Sequence, residues 1–365
     1  MLDECYGKAL QALGTCSSKY GLYASGGVDG YRGVWARDSM ITLIGASTDK
    51  TSFIREQFRK SLFTLSKYQG RNGEIANAVY GFDTGKVKSD FQSIDSTLWF
   101  LLGHMDYKRT YDDDSLIKRQ RKIIDKALLW LECQDMGNDG LLGQLPTTDW
   151  QDAFPHKYGY TINTHALYYK VLLAYNRKKH AYHIKNLVNR ADGTSLWQGE
   201  HYAPWRWKNH RAYKEIGTWF DSLGNLLAII FSLADEDQAA KIIKHIKKNK
   251  IHRPFPVRAM FPPIKKGDKE WQDYYEDCDA KEPNHYLNGG IWPYIGGFYV
   301  LSLIKLKKFE EAETELKRLA KSNLTGQFPE WIDPITTRHH GCLQAWNAGL
   351  YIAAYNSLKR RRVLF

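Results

Sequence analysis

Two carboxylic acids with aromatic neighbours are the residues of this 365-residue chain best suited to chemistry. Glu330 precedes Trp331 in a loop marked by Pro329, and Asp152 stands far upstream, two residues after Trp150. An acid among rings is poorly solvated, and the flat faces beside it suit a sugar. Hydrolysis of a glycosidic bond requires a pair of carboxylates held opposite each other. Asp152 and Glu330 are therefore predicted to be catalytic.

Each of these acids has a rival close by in the sequence. Asp149 lies three residues before Asp152, so only one of the two is expected to point into a pocket. Asp333 is the lesser rival of Glu330. The alternative for Glu330 is an ordinary acid in a surface loop. Its aromatic neighbours argue against full exposure.

Several further loops place an acid or an aromatic residue just ahead of an apolar stretch. If the apolar helices run parallel, these loops open at one end of the molecule and converge on one pocket. The residues then predicted to bind substrate are Trp35, Arg37, Asp38, Asp95, Trp150, Asp221, Trp292, Trp331 and Trp346.

Structural alternatives exist for some of these residues. Asp38 and Asp95 stand near predicted helix starts, where aspartate is a preferred N-cap. Tryptophan side chains often do no more than fill a core. The Gly289-Gly290 pair either lets the backbone approach a ligand closely or forms a plain turn.

The positioning elements are predicted from hydrophobic periodicity, which is helical nearly throughout. Polar amphipathic helices alternate with helices that are apolar all round and must be buried. This alternation predicts an all-α fold of six helical hairpins in a ring, an (α/α)6 barrel, as one domain over residues 1–365. The predicted helices are 2–17, 38–47, 51–68, 95–110, 114–134, 162–177, 180–191, 218–233, 236–248, 291–305, 309–321 and 341–358.

Composition limits the function classes. The net charge is +12, but the basic runs lie on or beside amphipathic helices, so a solvated face is favoured over nucleic-acid binding,. No apolar run is long enough to need a bilayer. The N-terminus lacks the features of a signal peptide. Five dispersed cysteines, without a CxxC pair, suit reduced thiols in the cytoplasm,.

Metal chemistry is the main competing prediction. Thiolate and imidazole groups favour zinc, but their spacing here fits no standard zinc motif. The candidate ligands would be Cys278, His285, His339, His340 and Cys342. The chain has no GxSxG, GxGxxG or P-loop motif, so neither a serine nucleophile nor nucleotide phosphate binding is expected,. We expect no metal and no cofactor.

With these residues in view, the chain resembles the (α/α)6-barrel glycoside hydrolases. The similar groups are the catalytic domain of glycogen-debranching enzymes (amylo-α-1,6-glucosidases) and the neutral/alkaline invertases. Trp35-Ala36-Arg37-Asp38 is similar to the family's Trp-x-Arg-Asp segment, which binds the terminal sugar. Further similar segments occur in order at 95–100, 148–153, 163–169, 220–226, 290–296, 329–331 and 341–346.

The resemblance implies roles for the two acids. Residues 148–153 look like the family's Thr-Trp-Met-Asp-Ala segment, which implies that Asp152 is the general acid. Residues 329–331 resemble the loop that carries the general base, which implies Glu330. Two departures stand out. The usual Glu-Ile of the following helix reads Asn163-Thr164 here, and the debranching enzymes' extra domains have no counterpart.

The sequence therefore predicts an inverting, exo-acting glycoside hydrolase that acts on α-glucosidic linkages of oligosaccharides or small glycosides. One alternative is an invertase that cleaves sucrose on the same barrel. Another is a barrel that binds sugar without catalysis, and a third is a zinc-dependent barrel of the lanthionine-cyclase kind. No nucleic-acid or membrane partner is expected.

Overall fold

The computed structural model describes residues 1–27, 30–190, 194–210 and 213–365. Within them the chain forms thirteen α-helices: α1 (Leu2–Cys16), α2 (Ala36–Ala46), α3 (Ser52–Lys67), α4 (Ile94–Tyr111), α5 (Ser115–Arg119), α6 (Arg121–Glu132), α7 (Ile162–Ala174), α8 (Lys178–Val188), α9 (Ser222–Ile230), α10 (Glu236–Lys248), α11 (Pro293–Lys305), α12 (Phe309–Thr325) and α13 (Ala345–Lys359).

Local sequence signals set several helix starts. Helix α10 begins with a capping box between Asp235 and Gln238,. Asp221 caps α9 by accepting a 3.1 Å hydrogen bond from the backbone of Gly224,. Pro293 opens α11, where a missing backbone N–H removes no hydrogen bond from the helix,.

Six helices form a closed inner ring. Helix α2 packs on α4, α4 on α7, α7 on α9, α9 on α11, α11 on α13, and α13 returns to α2. These helices are buried on nearly every side; in α11 only Lys305 is not fully buried. Helices α2 and α13 approach closely at Gly349. A Cβ at this position would lie 2.4 Å from the carbonyl oxygen of Thr42, so only glycine permits the approach.

The remaining helices form an outer layer. Helix α3 packs on α2 and α4, α6 on α4, α8 on α7, α10 on α9, α12 on α11, and α1 on α13. An outer helix buries only one face. In α10 the buried apolar residues form one such stripe, namely Ala239, Ile242, Ile243 and Ile246,. The two rings confirm the predicted (α/α)6 barrel.

Short strands lie in the loops, and several end where an inner helix begins. In the described residues they are β1 (Ser17–Ser18), β2 (Gly21–Leu22), β3 (Gly33–Trp35), β4 (Ala78–Tyr80), β5 (Lys88–Asp90), β6 (Tyr160–Thr161), β7 (Trp205–His210), β8 (Tyr213–Ile216), β9 (Phe220–Asp221), β10 (Met260–Phe261), β11 (Trp331–Ile332) and β12 (His339–His340). All the pairings are antiparallel, and they pin the loops at one end of the barrel.

Three predicted helix bounds differ from the structure in informative ways. The stretch 114–134 is two helices, separated at buried Gln120, whose side-chain oxygen pairs with Ser66 and His104. The last helix starts at Ala345, not at 341, because Gly341 and Leu343 have positive φ. Helix α8 ends at Val188, and residue 191 of its predicted range lies outside the described residues.

Candidate active site

A pocket of about 220 Å³ opens at the end of the barrel where the inner helices begin. Helix α2 contributes its first turn, and the loop between α6 and α7 contributes a second wall. The residues before α11 and around the start of α13 complete it. Its lining residues are Tyr31, Trp35, Arg37, Asp38, Trp150, Asp152, Tyr286, Trp292, Glu330, Gln344 and Trp346.

Most of the predicted site residues meet in this pocket. Both predicted catalytic acids line it, although 178 positions separate them in the sequence. The predicted substrate-binding residues that line it are Trp35, Arg37, Asp38, Trp150, Trp292 and Trp346. Asp95, Asp221 and Trp331 do not line it, and their positions are described below.

Asp152 has the environment of a proton donor. Its side chain is exposed to the pocket, whose walls of protein atoms reduce its solvation. This burial raises the pKa of Asp152 to about 6, against the opposing effect of the Arg37 charge,. The carboxylates of Asp95 and Asp149 raise it further. Asp152 therefore holds a proton at higher pH than an ordinary aspartate does.

Glu330 is held rigidly across the pocket. Its backbone N–H donates a 2.8 Å hydrogen bond to the carbonyl of His340, and the Tyr31 hydroxyl donates to Glu330 Oε1 at 3.3 Å. Gly341 allows this packing, because it has a φ of +66° and a Cβ there would lie 2.9 Å from the Cβ of Glu330,. Burial raises the pKa of Glu330 to about 7, although Tyr31 and Tyr286 donate to it.

Asp38 faces the same pocket from the first turn of α2. The N-cap of this helix is Trp35, so Asp38 is not the capping residue that the alternative reading required. Burial raises the pKa of Asp38 to about 6, and the neighbouring Arg37 opposes that rise. A carboxyl group here can bind sugar hydroxyls.

Asp95 lies behind the wall, which corrects the expectation that it contacts the substrate. Its carboxylate binds Arg37 through two hydrogen bonds, 2.8 Å to Nε and 3.0 Å to Nη2. Ser93 adds an acceptor for Arg37 at 2.7 Å. Asp95 is 0% exposed, and its carboxylate orients Arg37, which does line the pocket,.

We expect Asp95→Asn to lower the free energy of unfolding by about 3 kcal/mol, because breaking a buried ion pair strands the Arg37 charge. Urea denaturation at pH 7 measures this change. Ser93→Ala, which removes one hydrogen bond and no charge, should cost about 1 kcal/mol. Equal losses in the two variants would argue that the charge pair is not what holds Arg37.

Asp149 and Asp221 share one buried cation. Lys157 Nζ lies 2.9 Å from Asp149 Oδ2 and 3.5 Å from Asp221 Oδ2, and all three side chains are at most 1% exposed. Lys157 also donates to Gln151 Oε1 at 2.7 Å. This cluster ties the loop that carries Asp152 to the start of α9. Asp149 and Asp221 are therefore engaged by Lys157, Asp221 also caps α9, and neither lines the pocket.

Trp331 turns away from the pocket. Its ring stacks on His340 at 3.9 Å and meets the edge of His285 at 4.5 Å. Its neighbour Glu330, which directly precedes strand β11, lines the pocket. The expected sugar contact at Trp331 is therefore not supported.

The other tryptophans form an aromatic wall. Trp292 lies edge-on to Trp150 at 5.6 Å and to Trp346 at 5.8 Å, and Tyr294 stacks on Trp346 at 4.1 Å. Such rings supply both rigid packing and a flat surface for a sugar.

Three lining residues were not predicted: Tyr31, Tyr286 and Gln344. The aromatic character of the region around Trp35 was a usable signal for Tyr31. Tyr286 had no comparable signal, because it reaches the pocket through the irregular segment before α11. Gly289 in that segment has a φ of +95°, so the glycine pair forms a turn.

The residues considered as zinc ligands do not form a metal site among the described residues. Over the parts of the chain that the structure describes, no three His, Cys, Asp or Glu side chains are arranged to hold a metal ion. Cys278 instead donates to the carbonyl of Ala153, and His340 stacks on Trp331. Among the described residues, no helix combines the length and apolar character that crossing a bilayer needs.

Two protein families match adjoining parts of the sequence. The family model described as amylo-alpha-1,6-glucosidase matches residues 8–215, and the model described as alkaline and neutral invertase matches residues 212–360. Alkaline/neutral invertase C of Arabidopsis thaliana is 28% identical over 141 residues, which are 37% of this chain and 21% of the relative. Neutral/alkaline invertase 1 of Oryza sativa is 30% identical over 37% of this chain and 22% of its own length. The aligned part is thus about a fifth of each curated relative.

Solved structures with the same fold cover nearly the whole chain. A GH63 mannosylglycerate hydrolase from Thermus thermophilus in complex with glucose has a TM-score of 0.68 at 12% identity, over 95% of this chain and 99% of that one. A rhamnosidase from Klebsiella oxytoca with rhamnose bound has a TM-score of 0.68 at 15% identity, over 98% of this chain and 64% of the other. At these identities the likeness establishes the fold.

The order of the two family matches agrees with the order of the segments on which the predicted resemblance rested, and that prediction is confirmed. Because the first model spans more than half of the sequence, the chain belongs to the amylo-alpha-1,6-glucosidase family.

Proposed function

We propose that the protein is an inverting glycoside hydrolase with Asp152 as general acid and Glu330 as general base. The observation that carries this proposal is the meeting of two carboxyls, from loops far apart in sequence, on one small aromatic pocket. Both have raised pKa values, which places proton exchange near neutral pH,.

The reaction needs one proton on the pair. Protonated Asp152 donates to the glycosidic oxygen as its bond to the anomeric carbon breaks. Glu330 takes a proton from the water that attacks this carbon from the opposite face, so the anomeric configuration inverts. This geometry calls for carboxyls about 6.5–9.5 Å apart, with room for the water between them.

In the pocket without a sugar, burial raises the pKa of Glu330 to about 7 and that of Asp152 to about 6, so the two carboxyls compete for one proton near neutral pH. A bound glycosidic oxygen accepts a hydrogen bond from protonated Asp152, and a nucleophilic water donates to ionised Glu330. Both contacts favour the proton on Asp152, which is the productive arrangement.

The pocket supports attack at a chain end. Ligand sites usually measure about 300–1,000 Å³, and this one, at about 220 Å³, is small. It suits one sugar ring and not a stretch of polysaccharide. Arg37 and Asp38 would hold the hydroxyls of that ring, while Trp35 and the aromatic wall would contact its faces.

The proposed substrate is an α-glucoside with a short leaving group, because the family model that spans most of the chain is an amylo-alpha-1,6-glucosidase. Sucrose is the second candidate, favoured by the invertase match over residues 212–360. Release of fructose from sucrose, against release of glucose from other α-glucosides, separates the two.

The deciding experiment is a screen of oligosaccharides with the purified protein, followed by proton NMR of the first product formed. Hydrolysis of an α-glucoside should release β-glucose before mutarotation. Release of α-glucose would refute inversion. Calorimetric binding of a sugar that is never cleaved would instead favour the non-catalytic alternative.

Activity should follow a bell-shaped pH profile with limbs near 6 and 7. Below about pH 6 both carboxyls are protonated and the base is lost; above about pH 7 both are ionised and the acid is lost,. The measurement is kcat/KM from pH 4 to 9 on one substrate. A profile with a single limb would contradict the shared-proton requirement.

We propose that residues 1–365 act as one catalytic domain, since the inner ring closes between α13 and α2. We also propose a cytoplasmic location, which rests on the dispersed cysteines, all five of them free thiols.

A further inference from the structure

A second pocket, larger than the first, lies at the opposite end of the barrel. It has a volume of about 400 Å³ and is lined by the late turns of α2, α4 and α7 and by Phe231, which follows α9. The candidate active site uses the beginnings of the inner helices, so the barrel separates the two pockets.

The walls of this second pocket are mainly apolar. Ile44, Trp99, Leu102, Ala174, Phe231 and Phe365 contribute aliphatic and aromatic surface. Phe365 is held in place because Arg109 donates a 2.8 Å hydrogen bond to the carbonyl of Leu364. An apolar recess of this size is a ready binding site for the hydrocarbon part of a ligand.

Two lysines of the wall, exposed Lys108 and half-buried Lys170, make no salt bridge in the part of the chain that the structure describes, and the exposed carboxylate of Asp112 lies in the same wall. Lys170 Nζ lies 5.7 Å from the centroid of the Phe231 ring. Burial and the Arg109 charge lower the pKa of Lys170. The nearby acid, Asp106, is already engaged by Arg109, Ser47 and Thr110.

Two more lysines add to the positive field at this end. Lys305 Nζ donates to the carbonyl of Ile230 and, at 2.6 Å, to Ser232 Oγ, while Lys185 donates to the carbonyl of Ser232. Burial, then repulsion from Lys170 and Lys185, lowers the pKa of Lys305 to about 8. An anion at Lys170 would relieve this repulsion in a weakly polar environment.

We propose that this pocket binds an amphiphilic organic anion, with its carboxylate at Lys170 and its hydrocarbon chain against Leu102, Trp99 and Phe231. The site is separate from the catalytic pocket and requires none of its residues. The proposal is independent of the glycoside hydrolase activity and can be tested without a sugar substrate.

The test is isothermal titration of the full chain with octanoate and with 1-octanol, its neutral counterpart. Wild type should bind octanoate at least tenfold more tightly than octanol. Lys170→Met keeps the apolar stem but removes the charge, so it should weaken octanoate at least tenfold and leave octanol nearly unchanged. Ala174→Trp, which fills the pocket, should abolish binding of both.

The matched control is Lys118→Met, an exposed lysine paired with Asp114. It should bind both probes as wild type does, and circular dichroism checks the folding of each variant. Absence of octanoate binding to wild type would overturn the proposal. So would unchanged octanoate binding in Lys170→Met, or binding that survives in folded Ala174→Trp.

Discussion

Asp152→Asn should lower kcat by about 10²–10⁴-fold, the usual contribution of a general acid, on a substrate whose leaving group is a sugar alkoxide. The asparagine side chain fills the same space but has no proton to give to the departing oxygen. A leaving group that needs no protonation bypasses the defect. The loss of kcat relative to wild type should therefore be much smaller on a glycosyl fluoride than on an oligosaccharide.

The same variant should be more stable than wild type at pH 8. Burial raises the pKa of Asp152 to about 6, above its unfolded value of about 4. Protonation therefore stabilises the fold, and this contribution is lost as the pH rises through about 6. Asparagine never ionises, so its Tm should exceed that of wild type at pH 8 but not at pH 4.

Asp149→Asn is the matched control, because it tests the rival acid three residues away. It weakens the buried pair with Lys157 and should therefore lower Tm at pH 8, the opposite direction to Asp152→Asn,. Its activity on a glycosyl fluoride and on an oligosaccharide should fall in parallel. If Asp149→Asn, and not Asp152→Asn, kept its activity on the glycosyl fluoride while losing activity on the oligosaccharide, Asp149 would be the general acid.

Glu330→Gln should abolish measurable turnover on every substrate, including glycosyl fluorides, because the attacking water loses the base that deprotonates it. Added azide, which needs no deprotonation, should restore bond cleavage and give a glycosyl azide of inverted configuration. Anomeric analysis of that product by NMR is the measurement. A product of retained configuration would mean that Glu330 acts in another role.

Asp333→Asn is the control for this variant, since Asp333 was the other acid of the same loop. The Asp333 carboxylate accepts hydrogen bonds from the backbone of Ile335 at 2.7 Å and Thr336 at 3.1 Å, so it shapes a turn. We expect most of the activity to remain. A loss as deep as that of Glu330→Gln would undermine the choice of base.

The sequence alone predicted the barrel, which the structure confirms, and two acids that the structure brings to one pocket. The alternation of amphipathic and wholly apolar helices reflects burial of one stripe or of all sides, so it predicts two concentric layers. The aromatic neighbours of Asp152 and Glu330 predicted that both acids are poorly solvated, and the burial that raises both pKa values agrees with this,. Both signals depend on residues that are neighbours in the sequence, so a single sequence is enough to recognise them.

Which of the other predicted acids face the pocket depends on the tertiary structure. Asp38, Asp95 and Asp221 all stand near the start of an inner helix, yet one lines the pocket, one binds Arg37 and one caps α9 with Lys157 beside it. Their neighbours in sequence do not distinguish them, because each outcome depends on a cation or wall supplied by a distant segment. Tyr286 and Lys157 were missed for the same reason, since long-range packing gives them their partners.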